Sequence, residues 1–143
     1  MYTGLRIKVT VKKEFRQMIN KINNEEAYFS DYVVHFSFLD KFTKIKRSDL
    51  IPTGTSAYMP TGWETGEYLN EQAIDGFERK IDMNTGVWTF QCCVKNYDKL
   101  IEHFFTDVLA NIIVSAEHIE SKFEEDNNSI MYKYIDGEIV RVK

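Results

Sequence analysis

The chain has 143 residues, 43% hydrophobic and 14% aromatic, which is enough apolar mass for one compact domain and too little length for two full-sized ones. A formal charge of −4 argues against a general nucleic-acid binder, and no apolar run approaches the ~18 residues of a membrane span. Cys92 and Cys93 are the only cysteines, so a disulfide framework is excluded, and with no signal-like N-terminus the expected location is the cytoplasm.

Charge is unevenly spread. Residues 1–48 carry ten Lys/Arg against five Asp/Glu, a balance of +5, and residues 49–143 carry eight against seventeen, a balance of −9. Either the two halves attract one another within the fold, or the first presents a basic patch to a partner.

In chain order, Leu5, Ile7, Val9 and Val11 alternate with Arg6, Lys8, Thr10 and Lys12, the period of a strand with one buried and one polar face. Phe15, Met18, Ile19 and Ile22 then fall at helical spacing, and Asn23-Asn24 is a fitting stop. The aromatic and β-branched run Tyr32 to Leu39 predicts a second strand. Residues 40–76 hold both prolines and no sustained period, which reads as a long insertion with one short extended piece near Ser56 to Met59. Phe77 to Asp82 and Val87 to Lys95 flank Met83-Asn84-Thr85-Gly86 as a hairpin whose tight connection needs positive φ at Asn84 and Gly86.

A second helix is predicted from Asn96, a favourable N-cap, burying Tyr97, Leu100, Ile101, Phe104, Phe105, Val108, Leu109 and Ile112. Glu117 to Glu125, Ile130 to Ile135 and Glu138 to Val142 read as a C-terminal meander with a turn at Asp136-Gly137. The order β–α–β–insertion–hairpin–α–β predicts a single α+β domain over residues 1–143: a ferredoxin-like split-βαβ sandwich, an antiparallel sheet with two helices on one face.

Trp88, Cys92 and Asn96 stand at four-residue intervals within Trp88-Thr-Phe-Gln-Cys-Cys-Val-Lys-Asn-Tyr-Asp98. This segment resembles the strand-to-helix signature of the YubB-type ferredoxin-like domains of plasmid- and phage-borne bacterial proteins. The match covers about a dozen residues, and Tyr97-Asp98-Lys99-Leu100 replaces the Trp-Gly-Thr-Lys-Trp-like run that follows in the family. The resemblance implies a fold and a mobile-element setting, and no established activity comes with it. On physical grounds Trp88 and Cys92 pack under the second helix, and Asn96 accepts an amide hydrogen bond at its first turn.

No catalytic or metal-binding set emerges. His35, His103 and His118 lack zinc-site spacing among themselves or with the cysteines, and His118 with Glu120 merely shares a strand face. Cys93, near a helix entrance and Lys95, has no base in sight, and Glu124 and Glu125 point to opposite sides of a strand. No cofactor is implied.

With Trp88 turned toward the helices, the opposite face of the sheet displays Arg6, Lys8, Thr10 and Lys12 beside Thr89, Gln91, Cys93 and Lys95, basic and polar but without rings for base stacking. The insertion adds Arg47, Asp49, Tyr58, Trp63, Glu64 and Tyr68, a mixture that suits a protein-contact hot spot or a mini-core closing over the sheet edge. The expectation is a small non-catalytic binding or regulatory module acting through protein–protein contact or self-association. Its candidate surface is Arg6, Lys8, Lys12, Arg47, Tyr58, Trp63, Gln91 and Lys95. Nucleic-acid backbone binding by the basic face is the alternative.

Overall fold

The computed structural model describes residues 1–56, 58–60, 62–63 and 76–142. Six strands form one open antiparallel sheet: β1 (Thr3–Val11), β2 (Lys80–Ile81), β3 (Val87–Val94), β4 (Ile113–Phe123), β5 (Ile130–Ile135) and β6 (Glu138–Arg141), in the spatial order β2-β3-β1-β4-β5-β6. β1 lies between β3 and β4, with Ile7 opposite Phe90 on one side and Ile119 on the other. Two register shifts interrupt the β1–β4 ladder, between Lys8 and Val9 and between Thr10 and Val11.

The alternating pattern of β1 sends Leu5, Ile7, Val9 and Val11 to one face, where each is fully buried. A 3₁₀ turn (Lys13–Phe15) leads into α1 (Arg16–Asn23), whose Met18, Ile19 and Ile22 enter the same core. The third helix, α3, is α-helical over Leu100–His103, π-helical over Phe104–Leu109 and α-helical again over Ala110–Ile112. Its Leu100, Ile101, Phe104, Phe105, Val108, Leu109 and Ile112 join that core, so both helical stripes lie against one face of the sheet. Trp88 is at its centre, 0% exposed, 4.8 Å from the Phe90 ring, with its indole N–H donating to Asn23 Oδ1 at 3.0 Å.

Four readings of the sequence are corrected. Tyr32 to Leu39 is not a strand: 3₁₀ turns cover Phe29–Tyr32 and Ser37–Leu39, followed by the short α2 (Asp40–Thr43). Local bonds such as Phe36 N–H to Tyr32 O, 2.8 Å, satisfy the backbone, and the rings are used in the helical layer, with Phe36 and Phe38 edge-on to Phe15. β-prone residues thus went where aromatic packing was on offer, because β-propensity largely measures packing. Secondly, the first hairpin arm pairs only at Lys80 and Ile81, and within its turn Gly86 alone has positive φ, +84°. An added Cβ there would lie 2.5 Å from Val11 O and 2.6 Å from Arg16 Nε, the side chain that ties α1 to the turn through Asn84 O at 3.0 Å.

Thirdly, Asn96 does precede helical structure, but as a 3₁₀ turn over Tyr97–Lys99; α3 itself begins at Leu100, after Asp98 and Lys99 take left-handed φ of +57° and +56°, and Tyr97 is left 53% exposed. Asn96 still reaches the helix, its Oδ1 accepting the Ile101 N–H at 2.7 Å. Finally, among the described residues of 56–59, Tyr58 and Met59 form a bend and none is in a strand.

Residues 40–56 are anything but detached. Phe42 and Ile51 are in the main core, and Gly54 lies against the edge of β3, its carbonyl accepting the Cys93 N–H at 3.0 Å. A Cβ on Gly54 would stand 2.5 Å from Cys93 O, so the close approach requires glycine. The chain thereby passes around this edge from the helical face to the opposite one.

Candidate functional site

The face away from the helices is covered at one end, which overturns the expectation of an open face without rings. Trp63 lies on it, 7% exposed, with Met59, Cys93 and the partly buried Tyr2. The Arg6 guanidinium sits 3.7 Å from the centre of the Trp63 ring and donates to Gly62 O at 2.6 Å and Gln91 Oε1 at 2.7 Å. Gly4 makes room: a Cβ at this position would come within 2.6 Å of the indole. The Cys93 thiol donates to Trp63 O at 3.2 Å. Phe77 adds a second ring to this face, packed 4.9 Å from His118.

Beside this cover lies a polar group of four, Arg6, Glu120, His118 and Ser129. Arg6 stands 3.6 Å from Glu120, which also accepts from His118 Nε2 at 2.8 Å and from the Ser129 hydroxyl. Burial pushes the Glu120 carboxyl up, but hydrogen bonds from Ser129 and His118, with the charges of Arg6 and His118, outweigh it and hold the pKa below the ordinary glutamate range. Burial lowers the Arg6 pKa, opposed by Glu120.

The sequence-predicted surface therefore divides. Arg6, Gln91 and Trp63 are interlocked and largely buried. Lys8 is exposed, and Lys12 donates to Asn111 O at 3.2 Å. Arg47, Tyr58 and Lys95 are brought together elsewhere, around a cleft of about 380 Å³ at the edge of β3. Glu64 and Tyr68 lie outside the described residues.

That cleft is lined by Tyr2, Glu25, Arg47, Leu50, Thr53, Gly54, Thr55 and the β3 end Cys93, Val94 and Lys95. Arg47 stacks on Tyr97 at 5.0 Å, Lys95 lies 5.6 Å over Tyr2, and Tyr2 stacks with the 80% exposed Tyr58 at 6.4 Å. Two smaller depressions continue from it, one sharing Glu25, Leu50 and Thr53 and the next sharing Tyr28 and Asp49 with the first of these. Glu25 and Arg47, with φ of +61° and +72°, line the cleft, and the left-handed Asp98 and Lys99 follow Tyr97 directly. Left-handed backbone thus occurs at two residues that line the cleft and at the two that follow Tyr97. Among the described residues, neither Arg47 nor Lys95 has a carboxylate within 4.0 Å.

Sequence reading passed over Tyr2, Leu50 and Glu25 and placed Tyr97 in the core. For the Trp63 cover the sequence offered one signal, Gly4, because a lone glycine inside a strand marks a close approach.

Catalytic and metal chemistry find little footing. Burial pushes the Cys92 thiol well up, so it stays protonated, and the Cys93 thiol is engaged as a donor. His103 pairs with Asp107 at 3.1 Å on α3. Among the described residues no group of three His, Cys, Asp or Glu could hold a metal ion, and no helix is long and apolar enough to cross a membrane. Comparison with protein-family models, with curated proteins and with solved structures finds no match to the chain.

Proposed function

We propose that this chain is a non-catalytic binding module that holds a segment of a protein partner in the cleft at the edge of β3. One observation carries the reading: Arg47 and Lys95, with no carboxylate within 4.0 Å among the described residues, line a concave surface beside the exposed rings of Tyr58 and Tyr97, and two of its lining residues, Glu25 and Arg47, are left-handed. Tyrosine and arginine dominate protein contacts because each buries a large, stiff surface around a polar tip. The cations favour a segment with acidic side chains.

We further infer a ferredoxin-like core, β1–α1–β2–β3–α3–β4, to which β5 and β6 are added. The spatial run β2-β3-β1-β4 with every neighbour antiparallel supports it. YubB-type kinship and its mobile-element setting rest on Trp88, Cys92 and Asn96, and a cytoplasmic location rests on the cysteine usage.

A second reading, contact with a nucleic-acid backbone, rests on Lys8 and Lys80, both exposed and flanking Thr89 in one cross-strand row. It is weaker because Arg6 and Lys12 are already engaged. Selection of displayed peptides on the immobilised chain separates the two. Acidic, aromatic-containing peptides are expected, with binding lost in Arg47→Glu and Tyr97→Ala and kept in Lys8→Ala. Preferential binding of single-stranded oligonucleotides, falling steeply with salt and with Lys8→Ala, would replace the protein reading with the second.

A further inference from the structure

The same end of the molecule carries an acidic counterpart to the cleft. The turn after β4 exposes Glu125 and Asp126, and among the described residues neither is in an ion pair. The turn is not loose: Lys122, itself buried, donates to the carbonyls of Phe123 and Asp126, and the Asp126 N–H closes on Phe123 O at 3.0 Å. Tyr2 joins the two regions. Its ring lines the cleft, while its backbone exchanges hydrogen bonds with Glu124, accepting the Glu124 N–H at 3.0 Å and donating to the carboxylate. A fixed acidic knob therefore stands beside a cationic cleft, and neither set of charges is neutralised by the other within one chain.

We infer that the cleft's partner is a second copy of this chain, with Glu125 and Asp126 of each copy meeting Arg47 and Lys95 of the other around a two-fold axis. The inference rests on the reading of the cleft as a protein-contact surface and names its occupant. Two complementary patches set side by side at one end are self-complementary under a two-fold rotation, which closes the assembly at a dimer. Charge alone is weak on an exposed surface, so the exposed rings of Tyr58 and Tyr97 and the side chain of Leu50 supply the apolar contact that the charges align.

Sedimentation velocity over a concentration series at low salt tests it, with circular dichroism melts to confirm folding. The wild-type chain is expected to dimerise. Arg47→Glu alone, and Glu125→Lys with Asp126→Lys together, should each weaken association by about tenfold or more, through like charges brought face to face. An equimolar mixture of the two variants should associate again, because each reversed cleft then meets a reversed turn. Lys95→Glu replaces Arg47→Glu should the latter disturb folding at its left-handed position. A wild-type chain that is monomeric throughout overturns the inference, as does a dimer that ignores the reversals or a mixture that stays dissociated. The peptide selection reads the cleft itself, so a monomeric chain that still takes acidic peptides there would refute only the identity of the occupant.

Discussion

Trp88 and Trp63 seal opposite faces of one sheet by different means. Trp88 projects from β3 into a core built by α1, α3 and the aromatic 3₁₀ turns, and its N–H is matched to Asn23. Trp63 arrives from the insertion and is held by one guanidinium, two backbone carbonyl contacts and the gap above Gly4. The first seal is cooperative, with many side chains each replaceable in part. The second is a small satellite cluster whose few contacts centre on Arg6, Gly4 and Cys93. Such sub-structures open at lower free energy than the main core.

The largest effect expected is at the first seal. Trp88→Ala removes the central ring and leaves Asn23 Oδ1 without its donor, so urea unfolding should show a loss of about 3–5 kcal/mol. A loss below about 1 kcal/mol would mean that the helical layer does not depend on this ring.

At the second seal, Gly4→Ala drives a methyl into the Trp63 indole and should cost about 1–3 kcal/mol. With only two tryptophans in the chain, fluorescence separates the seals: the emission of Trp63 should shift to the red while that of Trp88 stays buried. An unchanged spectrum would remove Trp63 from this face.

The smallest effect concerns pH. Because the folded-state pKa of Glu120 is depressed, its contribution is whole above the unfolded value of about 4.3 and fades as the pH falls through the lower folded value. Protonation removes the carboxylate opposite Arg6, so the Trp63 emission should change at acid pH before that of Trp88. Glu120→Gln should abolish this acid step, and a step that persists would place its origin elsewhere.

The two regions also differ in how much of them the sequence reveals. The interior seal was legible because its signals are periodic: alternation in β1, the helical stripe of α3, and Trp88 two residues from Phe90 on one strand face. The strand expected over Tyr32 to Leu39 failed because aromatic residues serve a helical layer as well as a sheet, and only the surroundings decide. Arg6 and Gly62 are 56 residues apart with no pattern linking them, so the exterior seal was hidden. The cleft was half visible: Arg47, Tyr58 and Lys95 stood out by residue type, while Tyr97 kept helical spacing yet was turned outward by the left-handed pair Asp98 and Lys99.

The bond from Cys93 N–H to Gly54 O has one more consequence. Together with the two-residue β2, it covers part of the outer side of β3, while β6 forms the opposite margin of the sheet. That contact blunts an edge that could otherwise pair with a strand of another chain.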